Sequence, residues 1–256
     1  MKILAVMGSP RKKGNTYRVV EQIKEHLMKY DGSIDFEYLF LRDQNLQMCT
    51  GCFNCIARGE DKCPLKDDRA SIESKMLEAD GIILASPSYA MGVTGIMKNF
   101  IDRFAYTLHR PRFFDKAFLA VTTIGGFKGI KQTLEQLAIL SAGGKHLTKL
   151  GVAVPPIPMA GMDKKAAKNI RKASQAFYRS LSKPKKLPGF GDWAYFHAFK
   201  TFTDFQSYQK VCPADVAYYQ DKEYFYPLKG HHLRRLAGKM LRRLMQSGFR
   251  LLIKED

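Results

Sequence analysis

The chain has 256 residues, 45% of them hydrophobic, enough to bury a full core in one domain with an appendage. No run reaches the roughly eighteen apolar residues that a membrane-spanning helix needs, which excludes such a helix as an organising element. The net charge is +18, and +12 of it falls in residues 161–256; that asymmetry points either to an anionic neighbour for the C-terminal part or to a solvated basic face.

Met1 leads directly into a strand pattern over 2–8, with no signal-peptide core or cleavage site, so a cytosolic protein is expected. The next loop, Gly8-Ser9-Pro10-Arg11-Lys12-Lys13-Gly14-Asn15-Thr16, carries three cations and runs into a helical pattern over 15–29. Backbone N–H groups at that helix start, with Ser9, Asn15 and Thr16, make a cradle for a phosphate. The loop has neither the G-x-G-x-x-G of dinucleotide folds nor the Gly-Lys-Ser/Thr of a P-loop, so a single phosphate monoester, as on FMN, fits it better than a triphosphate or a dinucleotide.

A second strand pattern covers 34–41. Between it and a helix over 68–79 lie four of the five cysteines, Cys49, Cys52, Cys55 and Cys63, with the spacing C-x2-C-x2-C-x7-C; the fifth is Cys212. A reducing cytosol disfavours structural disulfides, so this cluster reads as ligands or redox groups. Such spacing suits a soft metal or an iron-sulfur cluster; tetrahedral zinc and unligated thiols remain alternatives.

Further strands are expected at 81–86, 117–123 and 150–154, and further helices at 95–108 and 129–142. Alternation of strand and helix through residue 155 predicts an α/β doubly wound five-stranded parallel sheet, whose ligands bind beyond the carboxyl ends of the strands. His26, His109 and His146 fit no Cys-His or Ser-His-Asp arrangement, so no catalytic side chain is expected.

The segment Gly8 to Thr16 resembles the phosphate loop of the flavodoxin-like NAD(P)H-dependent FMN reductases. Residues Ser86-Pro87-Ser88-Tyr89-Ala90-Met91-Gly92-Val93-Thr94-Gly95 resemble that family's isoalloxazine loop, Lys98 to Arg103 its following helix, and Thr122-Thr123-Ile124-Gly125-Gly126 its third flavin-side loop. By resemblance, FMN contacts Ser9, Arg11, Lys13, Gly14, Asn15, Thr16, Pro87, Ser88, Tyr89, Ala90, Met91, Gly92, Thr123, Gly125 and Gly126, with NAD(P)H as donor. Pro87 would give a rigid edge, Tyr89 would pack beside the ring or the ribityl chain, and Gly125 and Gly126 would admit close backbone approach. The cysteine motif is similar to that of the iron-sulfur flavoproteins, which implies a 4Fe-4S cluster on Cys49, Cys52, Cys55 and Cys63 at the same end of the sheet as the flavin. The acceptor is then a quinone, a flavin, another small molecule or a redox protein, and a homodimer is implied.

On this reading residues 1–158 form the flavodoxin-like FMN-binding domain, with a cysteine-rich loop over 44–67, and residues 159–256 form a helical, aromatic-rich, basic C-terminal extension. A basic helix is expected over 163–181, with Ala166, Ile170, Ala173, Phe177 and Leu181 along one face, then a Pro/Gly-bearing linker over 183–191. Ten aromatic residues from Phe196 to Tyr226 call for burial, as core or subunit packing rather than a substrate lid. Over 231–253, Leu233, Leu236, Met240, Leu244 and Leu251 fall near one helical face, with Arg234, Arg235, Lys239, Arg242, Arg243 and Arg250 largely elsewhere. Such a helix suits packing on its own protein, an acidic redox partner, or peripheral contact with an anionic membrane. No nucleic-acid-binding motif accompanies the charge.

Overall fold

A computed structural model describes residues 1–126, 128–157, 159–185, 187, 189–227, 232–250 and 252. Five strands form one all-parallel sheet in the order β2-β1-β3-β4-β5: β1 Lys2–Met7, β2 Asp35–Phe40, β3 Gly81–Pro87, β4 Ala117–Ile124 and β5 His146–Ala153. Adjacent residues of the central strands feed opposite faces. Leu4, Val6, Ile82, Leu84 and Phe118 enter one core, while Ile3, Ala5, Ile83, Leu119 and Val121 enter the other. That two-sided burial is why these strands read as continuous apolar runs.

The face of Ile3, Ala5 and Ile83 is covered by α1 (Asn15–Tyr30), through Val19, Val20, Ile23 and Leu27. A single-turn helix α2 (Asn54–Ala57) lies in the cysteine loop, and the opposite face takes α3 (Arg69–Glu78), α4 (Gly95–Arg103) and α6 (Ile130–Ala138), with the short α5 (Tyr106–His109) after α4. Helix α7 (Met162–Leu181) then returns to the face of α1, burying Ile170, Ala173, Phe177 and Leu181. The sequence reading placed residues 159–256 in the extension; α7, within them, packs on β5, β4 and α1.

Two expected elements differ. The helix expected over 95–108 is broken between α4 and α5, because Phe104 and Tyr106 are both fully buried in one core. Residues two apart on an unbroken helix point about 200° apart, so both rings reach the core only if the helix stops. Strand β5 starts four residues earlier than the apolar run over 150–154 suggests. It is an edge strand whose first half alternates half-buried and exposed residues, a weaker signal than a buried run.

The remaining helices, α8 (Phe190–Phe202), α9 (Gln206–Val211), α10 (Pro213–Tyr219) and α11 (His232–Arg250), build a second, aromatic core. Trp193, Phe196, Tyr219, Tyr224 and Phe225 form it, with Phe114 of the sheet domain packed against it. Phe114 stacks on Phe225 at 5.3 Å, and the hydroxyls of Tyr218 and Tyr219 donate to the carbonyls of Pro111 and His109 at 2.5 and 2.6 Å. The aromatic segment is therefore core, seated on the chain that joins α5 to β4. Pro158, parts of the expected linker, and residues 231, 251 and 253 of the expected last helix lie outside the described residues.

His197 sits inside this second core, 5% exposed and stacked on Trp193 at 5.3 Å. Among the described residues neither ring nitrogen has a hydrogen-bond partner. Burial, with the cations Arg242 and Lys200 nearby, lowers its pKa from 6.5 to about 4. The unfolded chain takes up that proton near 6.5 and the folded chain only near 4, so stability is lost as pH falls between those values. The loss amounts to roughly 3 kcal/mol. Urea unfolding at neutral pH and at about pH 4.5 should show it, and His197→Phe should remove most of the difference.

Candidate functional site

The loops after β1, β3 and β4 meet at the carboxyl edge of the sheet. One cleft there is lined by Ser9, Arg11, Gly14, Asn15, Thr16, Pro87, Ser88, Tyr89, Thr123, Ile124, Gly125 and Val154. Ten of these were expected from the sequence. Lys13, Ala90, Met91, Gly92 and Gly126 are not among the lining residues; Ile124 stands in the expected third loop but was not expected as a contact, and Val154 was not foreseen. Val154 ends the chain's run along β5 and carries no motif of its own.

Three hydrogen bonds tie the loops into one unit. Thr16 Oγ1 and Thr123 Oγ1 are 2.7 Å apart and buried, Ser88 N donates to Thr123 O at 2.8 Å, and Thr94 Oγ1 donates to Gly8 O. The Ser9 hydroxyl donates to Arg11 O at 3.0 Å and accepts from Arg11 N at 3.1 Å, which curls the first loop. Gly14 stands at the N-cap of α1 and supplies no side-chain cap; the first turn contains no acid. The first N–H groups of a 16-residue helix thus face the cleft without a side-chain acceptor among the described residues, beside Arg11. Helix-start amides and a cation are what a phosphate monoester requires, so these residues fit the phosphate of FMN.

The loop after β3 makes a tight turn in which Tyr89 N donates to Gly92 O at 2.9 Å and Gly92 N to Tyr89 O at 3.0 Å. Its central residues, Ala90 (φ 47°) and Met91 (φ 63°), both lie in the left-handed region, as a type I′ turn demands, although neither is glycine. The strain is offset from outside the turn. Val93 N donates to Gln136 Oε1 at 2.9 Å, and Thr133 Oγ1 donates to Ser88 Oγ at 2.9 Å. Both partners come from α6. Tyr89 and Met91 are left exposed at the tip.

Close backbone approach was expected at Gly125 and Gly126. A Cβ on Gly126 would meet no protein atom within 4 Å, and one on Gly125 only Val154 O at 4.0 Å, so within the protein both have room. A glycine that does combine left-handed backbone with close neighbours beside this turn is Gly129, with φ +107°. A Cβ there would stand 3.0 Å from Met91 Cα and 3.1 Å from Ser88 Oγ. Gly129 lets α6 begin against the Ser88–Met91 turn.

The cysteine loop leaves β2 at the same edge but does not stay there. Cys49 N donates to Asn99 Oδ1 at 2.9 Å, Cys63 Sγ lies 3.9 Å from Arg103 Nη2, and Cys55 O accepts from Arg110 Nη2 at 2.5 Å. Cys49, Cys63 and Cys55 thus lie against α4 and the end of α5, and none of the four cysteines lines the cleft. Positive φ at Gly51, Phe53 and Gly59 folds the loop back on itself. Arg103 and Asp67, both almost fully buried, pair at 2.5 Å and hold the end of the loop. Burial works to raise Asp67, but Arg103 and the Gln47 and Arg69 amides outweigh it and keep the carboxyl below its usual range.

No disulfide forms among the described residues. Burial pushes the Cys55 thiol up, and negative charge on Cys63, Cys49 and Cys52 pushes it further, so the four sulfurs share one electrostatic neighbourhood. Cys52 is exposed, and its thiol is lowered chiefly by the Asn54 amide. Thiols that raise one another's pKa ionise together only around a cation, and four on one loop fit an iron-sulfur cluster or zinc as a donor set. They stand open. Among the described residues no three His, Cys, Asp or Glu side chains converge closely enough to hold a metal ion.

The sequence model of the NADPH-dependent FMN reductases matches residues 1–156, which contain the whole sheet and all three cleft loops. The chain belongs to that family. Within it, the chain is similar to an iron-sulfur flavoprotein of Clostridioides difficile, 30% identical over 194 residues, covering 73% of this chain and 83% of the relative. It is also similar to an iron-sulfur flavoprotein of Archaeoglobus fulgidus, 37% identical over 111 residues, 43% of this chain and 49% of the relative, so it spans about half of that relative's length. Among solved structures, an NAD(P)H:quinone oxidoreductase from Methanothermobacter marburgensis shares the fold, with TM-score 0.53 at 16% identity over 68% of this chain and 98% of that one. Among the described residues no helix is long and apolar enough to cross a membrane.

Gly129→Ala should cost on the order of 1–2 kcal/mol, the penalty for a side chain in left-handed backbone, and should displace the Ser88–Met91 turn. Urea unfolding measures the first effect. The second should appear as weaker retention of FMN.

Proposed function

We propose that the protein is an FMN-dependent oxidoreductase that takes a hydride from NAD(P)H and passes electrons to a quinone, a flavin or another small acceptor. The observation that carries this reading is the convergence of three loops on one cleft at the uncapped start of α1. Asn15, Thr16, Ser9 and Arg11 would hold the phosphate, with Gly14 keeping the approach to the helix start clear. Pro87, Ser88 and Tyr89 would lie along the ring on one side, and Thr123 to Gly125 would receive it on the other. FMN supplies hydride acceptance and subsequent electron release, one or two at a time. The chain's own task is positioning: the Thr16–Thr123 bond fixes the spacing between the phosphate loop and the ring loop, and α6 holds the strained turn that presents Tyr89. A homodimer, in which a second copy covers the exposed Tyr89 and Met91, belongs to the same reading.

A second reading, electron transfer between FMN and a protein partner through a 4Fe-4S cluster, rests on the shared electrostatic neighbourhood of the four free thiols. Cys49, Cys52, Cys55 and Cys63 would hold the cluster, with the Arg103 guanidinium beside Cys63 to offset its charge.

Two measurements test these assignments. Replacing Asn15 and Thr16 by alanine together should lower the FMN content of the purified protein sharply; unchanged content would undo the assignment of the phosphate loop. The visible spectrum of anaerobically purified protein, with iron and sulfide analysis, separates the two readings. A flavin envelope alone supports the reductase, whereas added broad absorption with about four iron and four sulfide per chain supports the cluster.

A further inference from the structure

The sequence left open whether the apolar stripe of α11 packs on its own protein, meets an acidic partner or contacts a membrane; its described members, Leu236, Met240 and Leu244, do not pack on the protein. The packed side of the helix is Gly238, Leu241, Arg242, Gln246 and Phe249. A Cβ on Gly238 would stand 2.9 Å from the Trp193 ring, and Leu241 packs on the aromatic core. Arg242 Nη2 reaches both oxygens of Asp204 at 2.7 and 2.9 Å, Gln246 Nε2 donates to Asp204 at 2.6 Å, and Phe249 stacks on Phe202 at 4.7 Å. At about 100° per residue, Leu236, Met240 and Leu244 lie on the opposite side of the same helix. They are 58%, 60% and 72% exposed.

Three large apolar side chains in a row, turned away from a helix's own core, are not accounted for by packing among the described residues. Their flank is basic: Lys239, Arg243 and Arg250 are exposed beside them, and no Asp or Glu occurs anywhere in His232–Arg250. We propose that this face of α11 docks the protein on an anionic lipid bilayer, with the helix lying in the interface plane. Leu236, Met240 and Leu244 would enter the acyl boundary, and Lys239, Arg243 and Arg250 would meet lipid phosphates.

Charge decides against a second copy as the occupant. A symmetric dimer through this face would bring two sets of cations together with no carboxylate from α11 to neutralise them, in a chain already at +18. An anionic bilayer complements both halves of the face. The sheet domain and its cleft take no part, so the inference stands apart from the proposed flavin chemistry.

The test is co-sedimentation of the full chain with phosphatidylcholine vesicles that contain or lack phosphatidylglycerol, across a salt series. Binding should need phosphatidylglycerol and weaken as salt rises. Met240→Asp with Leu244→Asp should lower the partition coefficient at least about tenfold, since both aspartates would have to enter the bilayer edge. Lys239→Glu with Arg243→Glu should do the same while leaving the apolar row intact. All four positions are exposed, so far-ultraviolet circular dichroism should confirm that the variants stay folded. No sedimentation of the parent chain, or equal binding by both double variants, would overturn the proposal. So would light scattering that shows an assembly of the parent chain dissolved by Met240→Asp with Leu244→Asp.

Discussion

The buried contact between Arg110 and Asp215 joins the two cores and the cysteine loop. Asp215, on α10, is fully buried, and burial works to raise its pKa. His109 Nδ1 at 2.8 Å, the Tyr208 hydroxyl at 2.6 Å and the Arg110 guanidinium outweigh that and hold it below the usual carboxylate range. Arg110 has a second duty, donating to the carbonyls of Cys55 and Ile56. One guanidinium therefore fixes the extension with one nitrogen and supports the backbone of the cysteine loop with both. Removing Arg110 would leave the fully buried Asp215 carboxylate without its guanidinium, which costs far more than an exposed pair is worth.

That junction gives the C-terminal extension a structural meaning that its composition alone does not. Its aromatic core rests on residues 108–114, immediately before β4, and α10 presses on α2 in the cysteine loop. The flavin-type cleft lies at the far end of β4, some six residues or about 20 Å along the strand. The extension is thus placed to govern the thiols and not the cleft. The two candidate redox centres take their supports from different parts of the chain: α6 braces one, and α4, α5 and α10 brace the other.

Much of this was legible in the sequence because the sheet is buried on both faces. Continuous apolar strands and amphipathic helices gave the order of elements, and the short loops after β1, β3 and β4 carried their own glycine, proline and hydroxyl residues. What escaped depends on contacts between distant residues. The pairs Asp67–Arg103 and Arg110–Asp215 span 36 and 105 residues and leave no local pattern. Gly129 lies outside the glycine pair that resembled a motif, and only the path of the neighbouring turn shows that it is crowded. The apolar row of α11 was visible as a row, but a helical period cannot tell which side meets the core when the packed side is built from Gly238, Arg242 and Phe249 as well as leucine.

The bare start of α1 carries a consequence for the life of the protein before any reaction occurs. Most helices bring their own acceptor for the first amides, whereas this one opens on Gly14 with no acid in its first turn. With a phosphate as the acceptor, a seated nucleotide would add stability to the first turn of α1, and through Thr16 and Thr123 to β4. Maturation and cofactor supply are then coupled: a cell short of flavin would hold a looser chain, more open to proteolysis, and the pool of folded protein would follow the pool of cofactor.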